Sequence, residues 1–169
     1  CISARDVARM HQLLEDYYVC SLPDDTTTVV LDIDSTDDPT HGQQPFSFFH
    51  GHYGHAMYFP LLVFDGEGRL ASVRLRPGNA GNHRYSTPLI VRLVRKVKAR
   101  FPQAMVVVRA DSGFCTPQML DALESLHDEY GDVDYVLGLQ RNVKLVAAVA
   151  GPLAEAAARQ THATAATRV

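Results

Sequence analysis

The sequence predicts an α/β domain: a mixed five-stranded sheet, an antiparallel hairpin followed by parallel strands, flanked by helices. Three observations predict it. Two short apolar, β-branched runs, Val29-Val30-Leu31-Asp32-Ile33-Asp34 and Met105-Val106-Val107-Val108-Arg109-Ala110-Asp111, read as interior strands, and each ends in an aspartate. Asp65-Gly66 separates two further apolar runs, the signal of an antiparallel hairpin. Segments 84–100 and 116–129 then read as helices on either side of the second aspartate-tipped strand.

The elements follow in order. Residues 4–18 predict a helix with Val7, Met10, Leu13, Leu14 and Tyr17 on one face. Pro23-Asp24-Asp25 breaks it, and the first strand runs over 28–34. Asp37 to Gly54 is polar, rich in Gly and His, and is expected to be a loop. A second strand is expected at 55–64 and a third at 69–76, joined by Asp65-Gly66-Glu67-Gly68; Pro77-Gly78-Asn79 ends the third. The helix at 84–100 turns Leu89, Ile90, Leu93, Val94 and Val97 inward. The fourth strand, 105–110, leads into Asp111, and the next helix opens with Thr116 as N-cap and Pro117 in its first position. Asp134 to Gly138 is the fifth strand, and the rest is expected to be helical. The division expected is an N-terminal helix and connector over 1–27, a catalytic core over 28–145 and an extension over 146–169.

Strand order β-β-β-α-β-α-β, opening with an antiparallel hairpin, is the ribonuclease H-like arrangement. Its first and fourth strands are parallel neighbours at the centre of the sheet, so Asp34 and Asp111 are expected side by side. Carboxylates at the C-terminal edge of such a sheet lie where α/β folds place their ligands. Two together repel unless a divalent cation lies between them, which points to a metal site.

Charge is unevenly distributed. The formal net charge is -3, against nonspecific nucleic-acid binding by the chain as a whole. Residues 68–110 nevertheless contain no Asp or Glu and hold ten of the sixteen Lys and Arg residues. Asp24, Asp25, Asp32, Asp34, Asp37 and Asp38 lie in a stretch with neither Lys nor Arg. An acidic cluster for metal beside a basic flank for a polyanion suits phosphodiester chemistry. The bland alternative is that Arg92, Arg95, Lys96, Lys98 and Arg100 form the solvated face of a helix.

With 169 residues, 46% of them hydrophobic, the chain suits one domain with a real core. No apolar stretch approaches the roughly 20 residues that span a bilayer, so no membrane role is expected. Cys1, Cys20 and Cys115 are odd in number and lack metal spacing, which favours a reducing cytoplasmic compartment. A start at Cys1 and an Ala-rich end suggest a piece of something longer.

The chain resembles the catalytic domain of DDE transposases of bacterial insertion sequences. The matching pieces are Leu31 to Gly42, Phe49-His50-Gly51-His52-Tyr53-Gly54, Leu75-Arg76-Pro77-Gly78-Asn79, Arg109-Ala110-Asp111-Ser112-Gly113-Phe114 and Val133 to Leu139, together covering about residues 5–145 in the family's order. The resemblance implies Asp34 and Asp111 as the first two catalytic, metal-binding carboxylates; Asp32, by its spacing, is read either as supporting them from behind or as a charged residue at the strand's edge. It implies Mg²⁺ or Mn²⁺, two ions in the intact enzyme, as hard oxygen ligands would select. Double-stranded DNA would be the partner, with Arg76, Asn79, Arg109 and His52 as contacts and a homodimer in the synaptic complex; the setting would be the bacterial cytoplasm, at the nucleoid. The family's third carboxylate lies in a Tyr-x-x-Arg-x-x-x-Glu pattern, which is absent: Glu155 is the only acid after Asp134 and lacks the Tyr and Arg. The chain is therefore expected to hold two-thirds of the metal site and to be weak or inactive.

Other readings remain. Asp32-Ile33-Asp34-Ser35-Thr36 also matches the motif of haloacid-dehalogenase-like phosphatases, with Asp32 as nucleophile and Asp34 as general acid. A non-catalytic DNA-binding remnant is a third. His41, His50, His52 and His55 crowd one segment, but without the cysteines usual in structural zinc sites they are expected to be loop residues. Asp32, two residues before Asp34, shares its sheet face about 7 Å further back. Phe114 and Tyr135 are expected in the core.

Overall fold

A computed structural model of the protein describes residues 3–166. Cys1 lies outside the described residues, as do the outer ends of segments 1–27 and 146–169. The chain forms two compact units, Cys1–Gly138 and Leu139–Val169.

The first unit runs α1 (Ala4–Ser21), β1 (Thr28–Ser35), β2 (Asp38–Pro39), β3 (Phe48–His50), β4 (His55–Tyr58), β5 (Leu61–Asp65), β6 (Leu70–Arg74), α2 (Ser86–Arg100), β7 (Met105–Ala110), α3 (Pro117–Tyr130) and β8 (Val133–Leu137). The main sheet has the order β6-β5-β1-β7-β8. β5 is antiparallel to β1 and β6, while β7 is parallel to β1 and β8. This is the ribonuclease H-like sheet that the sequence predicts.

Two expectations change. Segment 37–54 is not all loop: β2 and β3 flank β4 in a separate three-stranded sheet. The strand expected at 55–64 is two strands, β4 and β5, divided at Phe59-Pro60. Pro60 has no N–H for a ladder, and its carbonyl accepts instead from the Thr36 amide at 3.2 Å. β2 and β3 span two and three residues, too short for any periodicity to mark them.

On one face of the main sheet, Val29, Leu31, Ile33, Leu61, Val63, Val106, Val108 and Val133 pack with Leu89, Ile90, Leu93, Val94 and Val97 of α2 and Met119, Leu123 and Leu126 of α3. The five α2 positions expected inward are all buried. Thr116 caps α3 by accepting from the Met119 amide at 3.3 Å, and Pro117 follows. Phe114 is fully buried, and Tyr135 packs half-buried against the core. The other face of β1 carries Asp32 and Asp34 and is more open.

Helix α1 corrects the predicted face. Val7, Met10, Leu13 and Tyr17 are exposed, whereas Glu15, Tyr18 and Val19 are buried. The docked stripe lies one step round the helix because Glu15 is fully enclosed and bonded to Ser72 and Arg92. A reading that scores carboxylates as surface residues rejects that stripe.

The second unit contains α4 (Val143–Ala166), with Pro152 inside it. Among the described residues no helix is long and apolar enough to cross a membrane.

Candidate active site

Parallel pairing of β1 with β7 aligns Asp32 with Arg109 and Ile33 with Ala110. One residue beyond that last pair come Asp34, still within β1, and Asp111, just after β7 ends. Both carboxylates are exposed. Asp34 Oδ1 accepts from the Ser35 amide at 2.7 Å, and Asp111 Oδ1 accepts from the Gly113 amide at 2.8 Å. Each is thus held by one oxygen close to its own backbone. Among the described residues neither makes an ion pair.

Two neighbouring carboxylates with oxygens to spare fit a hard, oxygen-seeking dication such as Mg²⁺ or Mn²⁺. They do not complete a cage: among the described residues no group of three or more His, Cys, Asp or Glu side chains could hold a metal. The histidine-rich segment gathers no such cluster either. His55 Nε2 lies 3.1 Å from Asp37 Oδ2, His50 packs against the rings of Tyr53 and Phe59, and His41 is exposed.

Behind the pair, Arg109 donates from Nε to Asp32 Oδ1 and from Nη2 to Asp32 Oδ2, both at 2.5 Å. This fork spans register partners and ties β1 to β7 next to the aspartates. It engages both oxygens of Asp32 in a tie between strands, rather than holding that carboxylate open as a phosphatase nucleophile. The antiparallel β5–β6 hairpin stands where that phosphatase fold requires parallel βα units.

The four expected DNA contacts divide. Asn79 is exposed in the turn closed by the Ala80 amide on the Pro77 carbonyl, and His52 is exposed in the turn before β4. Arg109 is committed to Asp32. Arg76 is the clear correction, being only 1% exposed. It donates from Nε to the Phe59 carbonyl, from Nη1 to the carbonyls of Gly81, Asn82 and Arg84, and from Nη2 to Ser35 Oγ at 2.6 Å. Burial, with a smaller contribution from the charge of Arg84, lowers its pKa to about 10. One enclosed guanidinium therefore joins the residue beside Asp34 to the loop between β6 and α2.

That loop reaches the second aspartate as well. A Cβ on Gly113 would lie 2.2 Å from Asn82 Nδ2, so the absence of a side chain at 113 lets Asn82 pack on the turn that holds Asp111. A Cβ on Gly138 would lie 2.9 Å from the Ser112 amide of the same turn. Sequence reasoning missed Asn82 and the internal role of Arg76. The only signal for them was the density of Gly and Asn after β6.

The basic run of α2 is not a polyanion surface. Arg92 pairs with Glu15, Arg95 with Glu129, Lys96 with Glu15 and Asp16, Lys98 with Asp132 and Arg100 with Asp24. These charges bind helices and loops of the same unit together. The solvated-face alternative fits only in part, since Lys98 is buried.

Comparison with solved structures gives transposases in complex with DNA. A piggyBac transposase synaptic complex with hairpin DNA is 17% identical, with a TM-score of 0.47 over 67% of this chain and 23% of that one. A Mos1 transposase paired-end complex is 18% identical, with a TM-score of 0.40 over 80% of this chain and 43% of that one. The Drosophila P element transposase strand transfer complex is 10% identical, with a TM-score of 0.39 over 80% of this chain and 34% of that one. The chain spans less than half the length of each of these. No curated protein matches it. The family described as Transposase DDE domain group 1 matches all of it, residues 1–169, and with that match over a ribonuclease H-like sheet the chain belongs to the DDE transposase domain family.

Proposed function

We propose that this domain serves DNA transposition, cutting phosphodiester bonds at transposon ends and joining the freed 3′-hydroxyl to target DNA, with Asp34 and Asp111 as catalytic carboxylates. The observation that carries the reading is the parallel β1–β7 register, which leads both aspartates to one sheet edge. Asp34 and Asp111 would hold Mg²⁺ or Mn²⁺. When bound, two such ions supply a lowered pKa for the attacking water or 3′-hydroxyl and a countercharge for the leaving oxygen. The chain's own groups orient the carboxylates: the Ser35 and Gly113 amides each hold one oxygen, and the Asp32–Arg109 fork keeps the two strands in register.

The chain carries two of the three carboxylates that the resemblance implies, and we infer that alone it is weak or inactive. The third would come from residues outside this sequence. Double-stranded DNA would be the partner, with a homodimer bringing two ends together in a bacterial cytoplasm; the unpaired Cys20 and Cys115 suit a reducing setting.

The test is Mn²⁺-dependent nicking of DNA bearing the transposon ends by the protein extended to include its third carboxylate. Asp34→Ala and Asp111→Ala should each abolish nicking, and Asp32→Asn should cost less because Asp32 acts only through its neighbours. Cleavage that survives Asp111→Ala would end the assignment.

A further inference from the structure

Of the ten basic residues in the acid-free segment 68–110, seven are bound to carboxylates: Arg69, Arg92, Arg95, Lys96, Lys98, Arg100 and Arg109. Arg76 has no carboxylate partner among the described residues but is buried. Arg74 and Arg84 remain, with no carboxylate partner among the described residues. Both lie on one aromatic ring: the Arg74 guanidinium is 4.1 Å from the Tyr85 ring centroid and that of Arg84 is 5.1 Å from it. Arg84 Nη2 also donates to the Tyr85 hydroxyl at 3.2 Å. Tyr85 is held left-handed, at φ 69°, a conformation costly for a bulky residue, and it stays exposed.

Topology fixes where this cluster lies. β6 is antiparallel to β5, which is antiparallel to β1, so β6 runs in the direction of β1. Arg74, the last residue of β6, therefore stands at the end of the sheet where β1 and β7 lead to Asp34 and Asp111; through Leu61 it lines up with Ser35, on the sheet face opposite that of Asp34. Arg84 belongs to the loop that Arg76 fastens to Ser35 and that lays Asn82 on the Asp111 turn. Two uncompensated cations thus share an edge with two uncompensated carboxylates.

We propose that Arg74, Arg84 and Tyr85 form a duplex-backbone contact, the two guanidiniums binding successive phosphates of the DNA whose strand reaches the carboxylate pair. The inference rests on the transposition reading and adds the path of the DNA to it. Like charges on one ring, neither paired with a carboxylate, repel until an anion joins them, and the ring restricts both guanidiniums so that little order is lost on binding. A phosphate accepts the planar fork of Arg bidentately. The α2 cations are less available for this role, since each already pairs with a carboxylate.

The experiment measures binding of the chain to a random-sequence duplex of about 25 base pairs as a function of salt. Each phosphate contact contributes about 0.9 to the slope of log affinity against log salt. Raising salt from about 50 to 200 mM should therefore weaken Arg74→Gln/Arg84→Gln about tenfold less than the wild type. Arg95→Gln, which breaks only a pair with Glu129, should keep the wild-type slope. Mn²⁺ affinity should be unchanged in both variants, separating this surface from the metal site. An unchanged slope in the double variant, with salt-dependent binding intact in the wild type, overturns this inference alone. A wild-type chain with no salt-dependent duplex binding overturns the DNA reading and this inference together.

Discussion

Glu15→Ala tests how strongly the first helix is held to the sheet. Glu15 is fully buried and accepts from Ser72 Oγ at 2.9 Å, from Arg92 Nε at 2.9 Å and from Arg92 Nη2 at 2.6 Å, with Lys96 Nζ 3.3 Å away. Removing one member of a buried pair costs about 3–5 kcal/mol when the abandoned charge stays enclosed. Here the side chains of Arg92 and Lys96 are 36% and 23% exposed and recover part of their hydration. The buried Ser72 hydroxyl cannot, and losing its acceptor costs about 1–3 kcal/mol. The expected loss is about 3 kcal/mol, a fall in Tm of about 10 °C for a unit of this size. Thermal unfolding followed by circular dichroism at neutral pH measures it. Burial pushes the Glu15 carboxyl up, but the Arg92 hydrogen bonds and charge, with Ser72 and Lys96, outweigh it and hold the folded pKa below the ordinary 4.5. The stabilisation is therefore complete above about pH 4.5 and is lost as pH falls through the lower folded value, so Glu15→Gln should approach the wild type only below that folded value. A Tm within 2 °C of wild type for Glu15→Ala at about pH 7 would refute the reasoning, given the 10 °C expected.

Two further outcomes are expected. Gly78→Ala places a Cβ 2.0 Å from the Met57 carbonyl oxygen and 2.7 Å from that of Phe48, backbone atoms that cannot step aside; it should cost about 3 kcal/mol and speed hydrogen exchange in β3 and β4, and a wild-type exchange pattern would contradict the packing. Mn²⁺ should bind this chain only weakly, since two carboxylates and water make a poor cage, and Gly113→Ala should weaken it several-fold further by displacing Asn82 and the Asp111 turn; electron paramagnetic resonance titration measures both, and sub-micromolar binding would point to a third ligand.

Residue pattern alone carried the main sheet, because alternation and β-branching report which residues face an interior. It marked β1 and β7, the Asp65-Gly66 hairpin, the Thr116-Pro117 helix start and the inward face of α2, all local or periodic signals. It also singled out Asp34 and Asp111, since a carboxylate at the end of an apolar run is anomalous wherever the run folds. Partners are a different matter. Arg92 meets Glu15 across 77 residues and Arg109 meets Asp32 across another 77, so no local window shows that these cations are satisfied. For the same reason a buried Glu15 moved the docked stripe of α1, and a conspicuous Arg76 beside Pro77-Gly78 turned inward rather than towards DNA. Sequence set the sign and spacing of the charges, but only the packed chain decided which neutralise one another and which, at Arg74 and Arg84, stay free for a partner, because the Coulomb energy of a pair depends on distance and burial that only folding assigns.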